Sequence, residues 1–257
     1  MKLNQVAVQL YTLRDFCQTT SDFAVTAKKV REIGFQNVEL VGAGVVPDEE
    51  IIRILAGEGL RCCSFHESPD LILKSPEKIV ERLNQMGCHY VAYPFPAGID
   101  FKSESSVIQF AKDLNHSGEV IHKAGKTLCY HNHASEFERP VSRTVLDILY
   151  GETLPQNLQA ELDTYWIQFG GFSPVEWCQK MKGRLPLLHI KDYGVNPENH
   201  QPIYKEVGLG NLDFKKIIAA AEDSGCQWFI VEQDTCPGNP FDSIQKSFEY
   251  VKQQLVS

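Results

Sequence analysis

A chain of 257 residues and 29.0 kDa is long enough for one β/α barrel or two small domains, and it can bury a substantial core. A hydrophobic fraction of 43% with 23% charged residues is ordinary for a soluble globular protein, and the formal charge of −8 disfavours binding to nucleic-acid phosphates. The chain has no apolar run long enough to span a bilayer, and its start lacks the apolar core of a signal peptide. We therefore expect a cytoplasmic protein without nucleic-acid or membrane partners.

The eight cysteines fit this expectation because none forms a CxxC pair, and a chain of this length does not need disulfide bonds for stability. Most are expected to be small buried side chains. Cys236 is the exception, since it closely follows the polar residues of VEQD (231–234), which end the last predicted strand.

Eight short apolar segments, rich in β-branched and aromatic residues, predict strands that are buried on both faces of a parallel sheet. In chain order these segments cover residues 6–12, 37–42, 60–66, 90–95, 127–133, 158–163, 185–191 and 228–233.

Amphipathic segments between the predicted strands indicate helices at 21–34, 47–59, 75–87, 103–125, 143–150, 173–183, 212–225 and 240–255. Several begin with Ser, Asp or Ser-Pro and end at Gly, as helices with an N-cap and a C-terminal glycine do. A βα unit of roughly 30 residues thus repeats along the chain. We predict a single (β/α)₈ TIM barrel over residues 1–257. A doubly wound open sheet is the alternative, but it does not explain polar residues at the ends of the last four strands.

The longest connection without a helical pattern covers residues 194–212. Its Gly-Leu-Gly at 208–210 lacks the GxGxxG spacing of a dinucleotide site. Long loops at the C-terminal face of a barrel often carry function, so we expect these glycines to approach the functional site closely.

Three residues of ligand type end the sixth, seventh and eighth predicted strands: Asp163, His189 and Glu232. Alone, Asp163 would be interpreted as a turn or N-cap residue and His189 as a core histidine. Glu232 follows an apolar strand directly, so its charge needs compensation. Because consecutive strand ends converge at the mouth of a barrel, the three together predict a site for one divalent metal ion, Mn, Zn, Mg or Fe.

The fifth predicted strand ends in His-Asn-His-Ala-Ser-Glu, which offers His131, His133 and Glu136 as further ligands or proton-transfer groups. His131 and His133 share one side of a strand because they are two residues apart.

Five other residues at predicted strand ends are candidates for substrate binding: Tyr11, Glu39, His66, Trp166 and Lys191. For Glu39 and Tyr11, packing or hydrogen bonding inside the barrel is an equally good interpretation. For His66, an equally good interpretation is a turn residue that caps the strand. Lys191 shares a strand face with His189 and could neutralise an enolate or contact a carboxylate or phosphate. Trp166 could face a sugar ring.

The combination of YHNHxxEF, LDTYW, HIKD, VGLGNLDF and FIVEQD resembles the sugar phosphate isomerase/epimerase family of xylose isomerase-like TIM barrels, over nearly the whole chain. In the epimerases of this group, Glu, Asp, His and Glu at the last four strand ends hold one divalent metal ion, and the two glutamates act as acid and base. The last three positions correspond to Asp163, His189 and Glu232. At the first position, where the epimerases have Glu, this chain has His131. The epimerases also have a substrate-binding histidine three residues after the Asp, and this chain has Trp166 there. The resemblance also implies pairing into homodimers.

The resemblance and the ligand set together predict a metal-dependent isomerase or epimerase that acts on a sugar, sugar phosphate or keto-polyol through an enediolate next to a carbonyl. Glu232 and His131 are the expected base and acid, with His133 and Glu136 as alternates. A lyase or dehydratase acting on an inosose or 3-keto-glycoside in the same site is an alternative. A metal-dependent endonuclease, which the net charge disfavours, and a non-catalytic sugar-binding barrel are the other classes considered.

Overall fold

Eight parallel strands close into one barrel in the computed structural model, which describes residues 1–41 and 46–256. The barrel strands are β1 (Val6–Gln9), β2 (Asn37–Leu40), β3 (Arg61–His66), β4 (Tyr90–Tyr93), β5 (Thr127–His131), β6 (Gln159–Asp163), β7 (Leu187–Ile190) and β10 (Trp228–Val231). Each pairs with its neighbours in chain order, and β1 pairs with both β2 and β10. The predicted TIM barrel is confirmed, and an open sheet is excluded. Gly42, the last residue of the second predicted strand, lies outside the described residues.

Helices cover the outside of the barrel. They are α1 (Thr20–Ile33), α2 (Asp48–Gly57), α3 (Pro69–Lys74), α4 (Pro76–Gln85), α5 (Glu104–Lys123), α6 (Val145–Gly151), α7 (Thr164–Phe169), α8 (Pro174–Lys180), α9 (Phe214–Asp223) and α10 (Pro240–Tyr250). Every predicted amphipathic segment overlaps one of these helices, with bounds that differ by a few residues. The sequence did not predict α3 and α7, because six residues are too few to show a helical period. Within 1–41 and 46–256, no helix has both the length and the apolarity to cross a membrane.

The chain leaves α1, α2, α4, α5 and α9 through the glycines that were predicted to end them. These glycines have positive φ angles, from 62° at Gly87 to 124° at Gly34. Only glycine adopts this conformation without steric cost, and it turns the backbone towards the next strand. The repeated glycine therefore helps to set where the five strands that follow these helices begin.

The barrel interior changes from apolar to polar along each strand. Ala7, Cys129, Leu187 and Ile230 belong to a small apolar cluster inside the barrel. The residues two positions further along the same strands are Gln9, His131, His189 and Glu232, and all four are buried. Since side chains two residues apart share one face of a strand, the apolar cluster lies beneath a polar layer at the C-terminal end of the barrel.

Six of the eight cysteines are buried and none of the eight forms a disulfide, so most behave as the small buried side chains that were expected. Cys236 is only partly buried.

The segment predicted to be irregular, residues 194–212, contains part of an antiparallel hairpin of β8 (Asp192–Val195) and β9 (Pro202–Lys205). The expectation that its glycines approach the functional site is wrong. The backbone N–H groups of Gly208 and Gly210 donate to the Asp192 carboxylate, each at 2.9 Å, and a Cβ on Gly208 would meet the Tyr250 ring. The glycines are needed for this close packing. Tyr204 of the hairpin lies near Lys191, with its ring centroid 5.5 Å from the Lys191 Nζ.

One close backbone contact gives a test of the packing. A Cβ on Gly118, inside α5, would lie 1.8 Å from the backbone oxygen of Asn157, which precedes β6. We expect Gly118→Ala to lower the free energy of unfolding by about 1–3 kcal/mol, because the helix must move away from the barrel. In thermal unfolding this corresponds to roughly 2–4 °C for each kcal/mol. The matched control is Gly57→Ala at the end of α2, where no described atom lies within 4 Å of the added carbon. Equal stability of the two variants would contradict this packing.

Candidate active site

A cavity of about 640 Å³ opens at the C-terminal ends of the barrel strands, where active sites of TIM-barrel enzymes lie. Its size is typical of small-molecule sites. The lining combines apolar, charged and imidazole side chains: Tyr11, Leu40, Val41, Val46, His66, Glu67, Ser68, Pro69, Arg82, Pro94, Phe95, His131, His133, Lys191, Glu232 and Asp234.

Four side chains of ligand type meet beside this cavity: His131, Asp163, His189 and Glu232. His131 and Glu232 line it, and Asp163 and His189 are fully buried next to them. Each offers one ligand atom, and these atoms lie within 4.8 Å of one another. Nδ1 of His189 is 2.9 Å from Oε2 of Glu232 and 4.0 Å from Oδ2 of Asp163. Metal bonds of about 2.1 Å place adjacent ligand atoms about 3 Å apart and opposite ones about 4 Å apart. The spacing therefore fits one metal ion, and the four residues are those chosen from the sequence.

Two of these side chains have a polar atom that makes no regular hydrogen bond, although an ionisable group lies within 3.4 Å of each. Oδ1 of Asp163 accepts the backbone N–H of Trp166 at 3.0 Å and so caps α7. Oδ2 of Asp163 and Nδ1 of His131 are buried and form no hydrogen bond with any residue in the described part of the chain. Asp163 is thus both the N-cap that a single Asp suggests and a carboxylate whose second oxygen faces the Lys191 ammonium, 3.4 Å away. Carboxylate and imidazole donors suit Mn, Zn or Fe.

Glu161 is a site residue that the sequence analysis missed. Its Oε2 lies 2.7 Å from Nε2 of His66, 3.2 Å from Nδ1 of His131 and 3.6 Å from Nε2 of His189. With these three histidines it forms a second group that has the spacing of a metal site. A signal was present, because Glu161 precedes Asp163 by two residues and must face the same side of β6.

Glu39 lies beneath the cavity and is not part of its lining. Its Oε2 is 2.7 Å from Nε2 of His189, and the Gln9 amide and the Ser64 hydroxyl donate to the same carboxylate. Burial, and then the neighbouring Glu161, raise the pKa of Glu39 to about 7. The sequence allowed two interpretations of Glu39, substrate contact or hydrogen bonding inside the barrel. The structure places Glu39 in a hydrogen-bond network inside the barrel.

Lys191 supplies a buried positive charge among three carboxylates. Its Nζ lies 2.5 Å from Asp234, 3.0 Å from Glu232 and 3.4 Å from Asp163. Burial alone would lower the pKa of Lys191, but the three carboxylates outweigh it and hold that pKa well above its usual value. Asp234 was missed in the sequence although it belongs to the VEQD motif, because a polar residue beyond a strand end is usually part of a loop.

Two aromatic rings face the Lys191 ammonium, with their centroids 5.3 Å (Trp166) and 5.5 Å (Tyr204) from Nζ. Trp166 also packs on His133, with ring centroids 5.4 Å apart, and it is not part of the cavity lining. Its place is behind the site, where it supports Lys191 and His133.

Burial makes two of the cavity imidazoles weakly basic. It lowers the pKa of His133 to about 4, helped by the charge of Lys191. Burial and the neighbouring His189 lower the pKa of His131 well below its usual value. Both rings are therefore neutral near pH 7 and carry a lone pair that a proton or a metal ion can use.

His66 and Tyr11 line the cavity, as expected for residues that contact a substrate, but Glu136 does not. The Glu136 carboxylate accepts hydrogen bonds from the Tyr130 hydroxyl and the Ser135 hydroxyl, each at 2.9 Å, and from the backbone of His133 at 3.1 Å. Because both of its oxygens are occupied, Glu136 holds the turn that carries His133.

The chain belongs to the xylose isomerase-like TIM barrel family, which matches residues 27–254. The resemblance identified from the motifs is thereby confirmed. Curated relatives include inosose dehydratases from Geobacillus thermodenitrificans (26% identical over 156 residues, 54% of this chain and 52% of the relative) and Lacticaseibacillus casei (26% over 159 residues, 56% and 53%). The chain thus spans about half the length of the curated relatives that it matches.

Solved structures share the fold over almost the whole chain. A sugar phosphate isomerase/epimerase from Parabacteroides distasonis superimposes with a TM-score of 0.82 at 22% identity, covering 98% of this chain and 95% of the other. A probable 3-DHS dehydratase from Bacillus anthracis has a TM-score of 0.72 at 14% identity, covering 99% and 100%. A D-allulose 3-epimerase from Methylomonas sp. has a TM-score of 0.69 at 15% identity, covering 98% of each chain.

The buried ion cluster gives the test of this subsection. We expect Lys191→Met to lower the free energy of unfolding of the metal-free protein by about 3–5 kcal/mol, because two buried carboxylates and one partly buried carboxylate lose their nearest cation. Added Mn²⁺ should raise the melting temperature of this variant more than that of the unchanged protein, since a divalent ion supplies the missing positive charge. Thermal unfolding with EDTA and with Mn²⁺ measures both effects.

Lys205→Met on β9 is the matched control, because Lys205 forms no ion pair with any described residue. A Lys191→Met variant as stable as this control would show that Lys191 does not balance the charges of Asp163, Glu232 and Asp234.

Proposed function

We propose that this protein is a divalent-metal-dependent enzyme that removes a proton from the carbon next to a carbonyl of a sugar or keto-polyol, as a sugar isomerase or epimerase does. The observation that carries the proposal is the convergence of His131, Asp163, His189 and Glu232 beside a cavity of small-molecule size, which the further unprotonated imidazole of His133 also lines. When bound, a divalent ion supplies Lewis-acid polarisation of a carbonyl oxygen, which acidifies the neighbouring C–H group.

Two groups of this chain are placed to move the proton. His133 lines the cavity, and its Nδ1 forms no hydrogen bond with a described residue. Glu232 lines the cavity as well and is held by Lys191 and His189. Because His131 belongs to the four-ligand group, Glu232 and His133 are the acid/base pair that we favour. The ammonium of Lys191 stabilises negative charge that develops on a substrate oxygen.

The return of the proton decides the product. Return to the opposite face of the same carbon gives an epimer, and return to the neighbouring carbon gives the aldose or ketose isomer. If the hydroxyl on the next carbon leaves as water after taking up a proton, the enzyme is a dehydratase. This second candidate is favoured by the inosose dehydratases among the relatives and by His131, which stands where the epimerases of the resemblance have Glu.

The charges at the cavity favour a substrate without phosphate. Among the described residues that line it, the lysine and arginine side chains are those of Lys191 and Arg82. Arg82 is held by the carboxylates of Asp48 at 2.9 Å and Glu67, and Lys191 by those around it. Neither cation is free to pair with a phosphate group. We therefore propose an uncharged carbohydrate as the partner, not a sugar phosphate or a nucleic acid.

Solvent deuterium exchange tests the reaction class. We expect the protein to exchange a C–H hydrogen next to the carbonyl in at least one member of a panel of ketohexoses, inososes and 3-keto-glycosides, detected by NMR in deuterium oxide. Treatment with EDTA should abolish the exchange and Mn²⁺ should restore it, because the ion acidifies that hydrogen. Binding of a panel member without any exchange would contradict an enzyme and support a sugar-binding barrel.

Phosphate discrimination is a separate prediction. For the substrate that exchanges, the 6-phosphate or other phosphate ester should react with kcat/KM lower by at least about tenfold, since a phosphate placed among paired cations is desolvated without a partner. Steady-state kinetics on both compounds measure the ratio. A phosphate ester that reacts faster than the free sugar would overturn the proposed substrate class and leave the reaction class intact.

A further inference from the structure

We propose that Glu39 is a positioning residue that fixes the ring of His189, so that Nδ1 faces Asp163 and Glu232 while Nε2 keeps its hydrogen beneath the site. This inference rests on the proposed function, because it assigns His189 to the metal-holding group. It goes beyond that function in naming the nitrogen that serves as ligand and the residue that selects it.

The two nitrogens of His189 face different carboxylates. Nδ1 lies 2.9 Å from Glu232, on the side of the four-ligand group. Nε2 points in the opposite direction and lies 2.7 Å from Oε2 of Glu39. Glu161 is farther from Nε2, at 3.6 Å. Glu39 is therefore the hydrogen-bond acceptor for Nε2–H.

Glu39 is itself held from both neighbouring strands. The Gln9 amide donates to Oε2 at 2.6 Å, and the Ser64 hydroxyl donates to Oε1. Gln9 pairs with Glu39 in the β1/β2 register, and Glu39 pairs with Ser64 in the β2/β3 register. All three side chains are fully buried. The Glu39 carboxylate is thus a fixed acceptor whose position is set by the barrel.

A fixed acceptor matters because a histidine can bind a metal ion only through a nitrogen that carries no hydrogen. A hydrogen bond from the other nitrogen to a carboxylate settles which nitrogen that is, and it fixes the ring plane. Glu39 is an unsuitable ligand for a second ion because both of its oxygens already accept hydrogen bonds from Gln9 and Ser64. The network therefore fits an orienting role better than a ligand role.

The experiment uses Zn²⁺ as a diamagnetic probe and protein labelled with ¹⁵N-histidine. In the zinc-loaded protein, ¹⁵N chemical shifts should show His189 coordinated through Nδ1, with a slowly exchanging hydrogen on Nε2. In Glu39→Gln, calorimetric titration should show Zn²⁺ affinity reduced about 10- to 100-fold, the range typical of lost carboxylate partners of metal-binding histidines.

The control variant is Glu206→Gln, which changes another buried glutamate that is hydrogen-bonded to Ser243 at 3.2 Å and lies outside both ligand groups. It should keep the zinc affinity and the His189 spectrum of the unchanged protein. If Glu39→Gln fails to fold, Ser64→Ala carries the test, because it removes a donor to Glu39 and leaves the carboxylate in place. A fall in zinc affinity in Ser64→Ala then supports the role of Glu39, and unchanged affinity overturns it.

Three results would overturn the inference: coordination of His189 through Nε2, unchanged zinc affinity in a folded Glu39→Gln variant, or a second zinc ion bound with Glu39 as its ligand. Each leaves the proposed function standing. If the unchanged protein binds no Zn²⁺ and no Mn²⁺, the metal-dependent function itself fails, so the two failures are distinguishable.

Discussion

The structure depends on the balance of charge inside the barrel. Five carboxylates form one connected group at the C-terminal end of the interior: Glu39, Glu161, Asp163, Glu232 and Asp234. Burying carboxylates without compensation costs more free energy than a domain can supply. Lys191 is the lysine in this group, and the nearby carboxylates raise the pKa of His66 and of His189 against the opposing effect of burial. A divalent ion among these groups would take over part of that compensation, which is why we interpret the cluster as functional.

The barrel makes this arrangement possible because apolar side chains pack at one level of its interior and the polar side chains of the candidate site lie at the next level. Beneath the polar layer, Ala7, Leu187 and Ile230 fill the interior with apolar side chains. Burial of the apolar side chains thus offsets the free energy that is lost when the polar layer is buried. The strands hold the ligand atoms in place. Because His189 is fully buried and hydrogen-bonded on both ring nitrogens, its orientation follows from the barrel itself and not from a loop.

Much of the fold could be predicted because its signals are local. Glycines at the helix ends and continuous apolar strands repeat along the chain, so all eight barrel strands were identified. The positions of Asp163, His189 and Glu232 followed from the rule that strand ends converge. Short helices such as Pro69–Lys74 and the hairpin at 192–205 were not identified, because each is too short or too polar to show a clear period.

Other parts of the site depend on contacts across the barrel. Glu39 and His189 are 150 residues apart, and closure of the barrel through the β1/β10 pair brings β2 near β7. The sequence therefore offered Glu39 as a strand-end residue without indicating its partner. Glu161 was missed although its spacing from Asp163 places both on one face of β6. Glu136 was predicted to be a ligand or proton-transfer group because it is a carboxylate near a strand end. In the structure, Tyr130 and Ser135 donate hydrogen bonds to its two oxygens.

Crystals soaked with Mn²⁺ and measured near the manganese absorption edge test the central claim most directly. The account predicts one anomalous peak per chain, within about 2.3 Å of a ligand atom from each of His131, Asp163, His189 and Glu232. A peak coordinated by Glu161 and His66 in place of Asp163 and Glu232, or no peak inside the barrel, would contradict it.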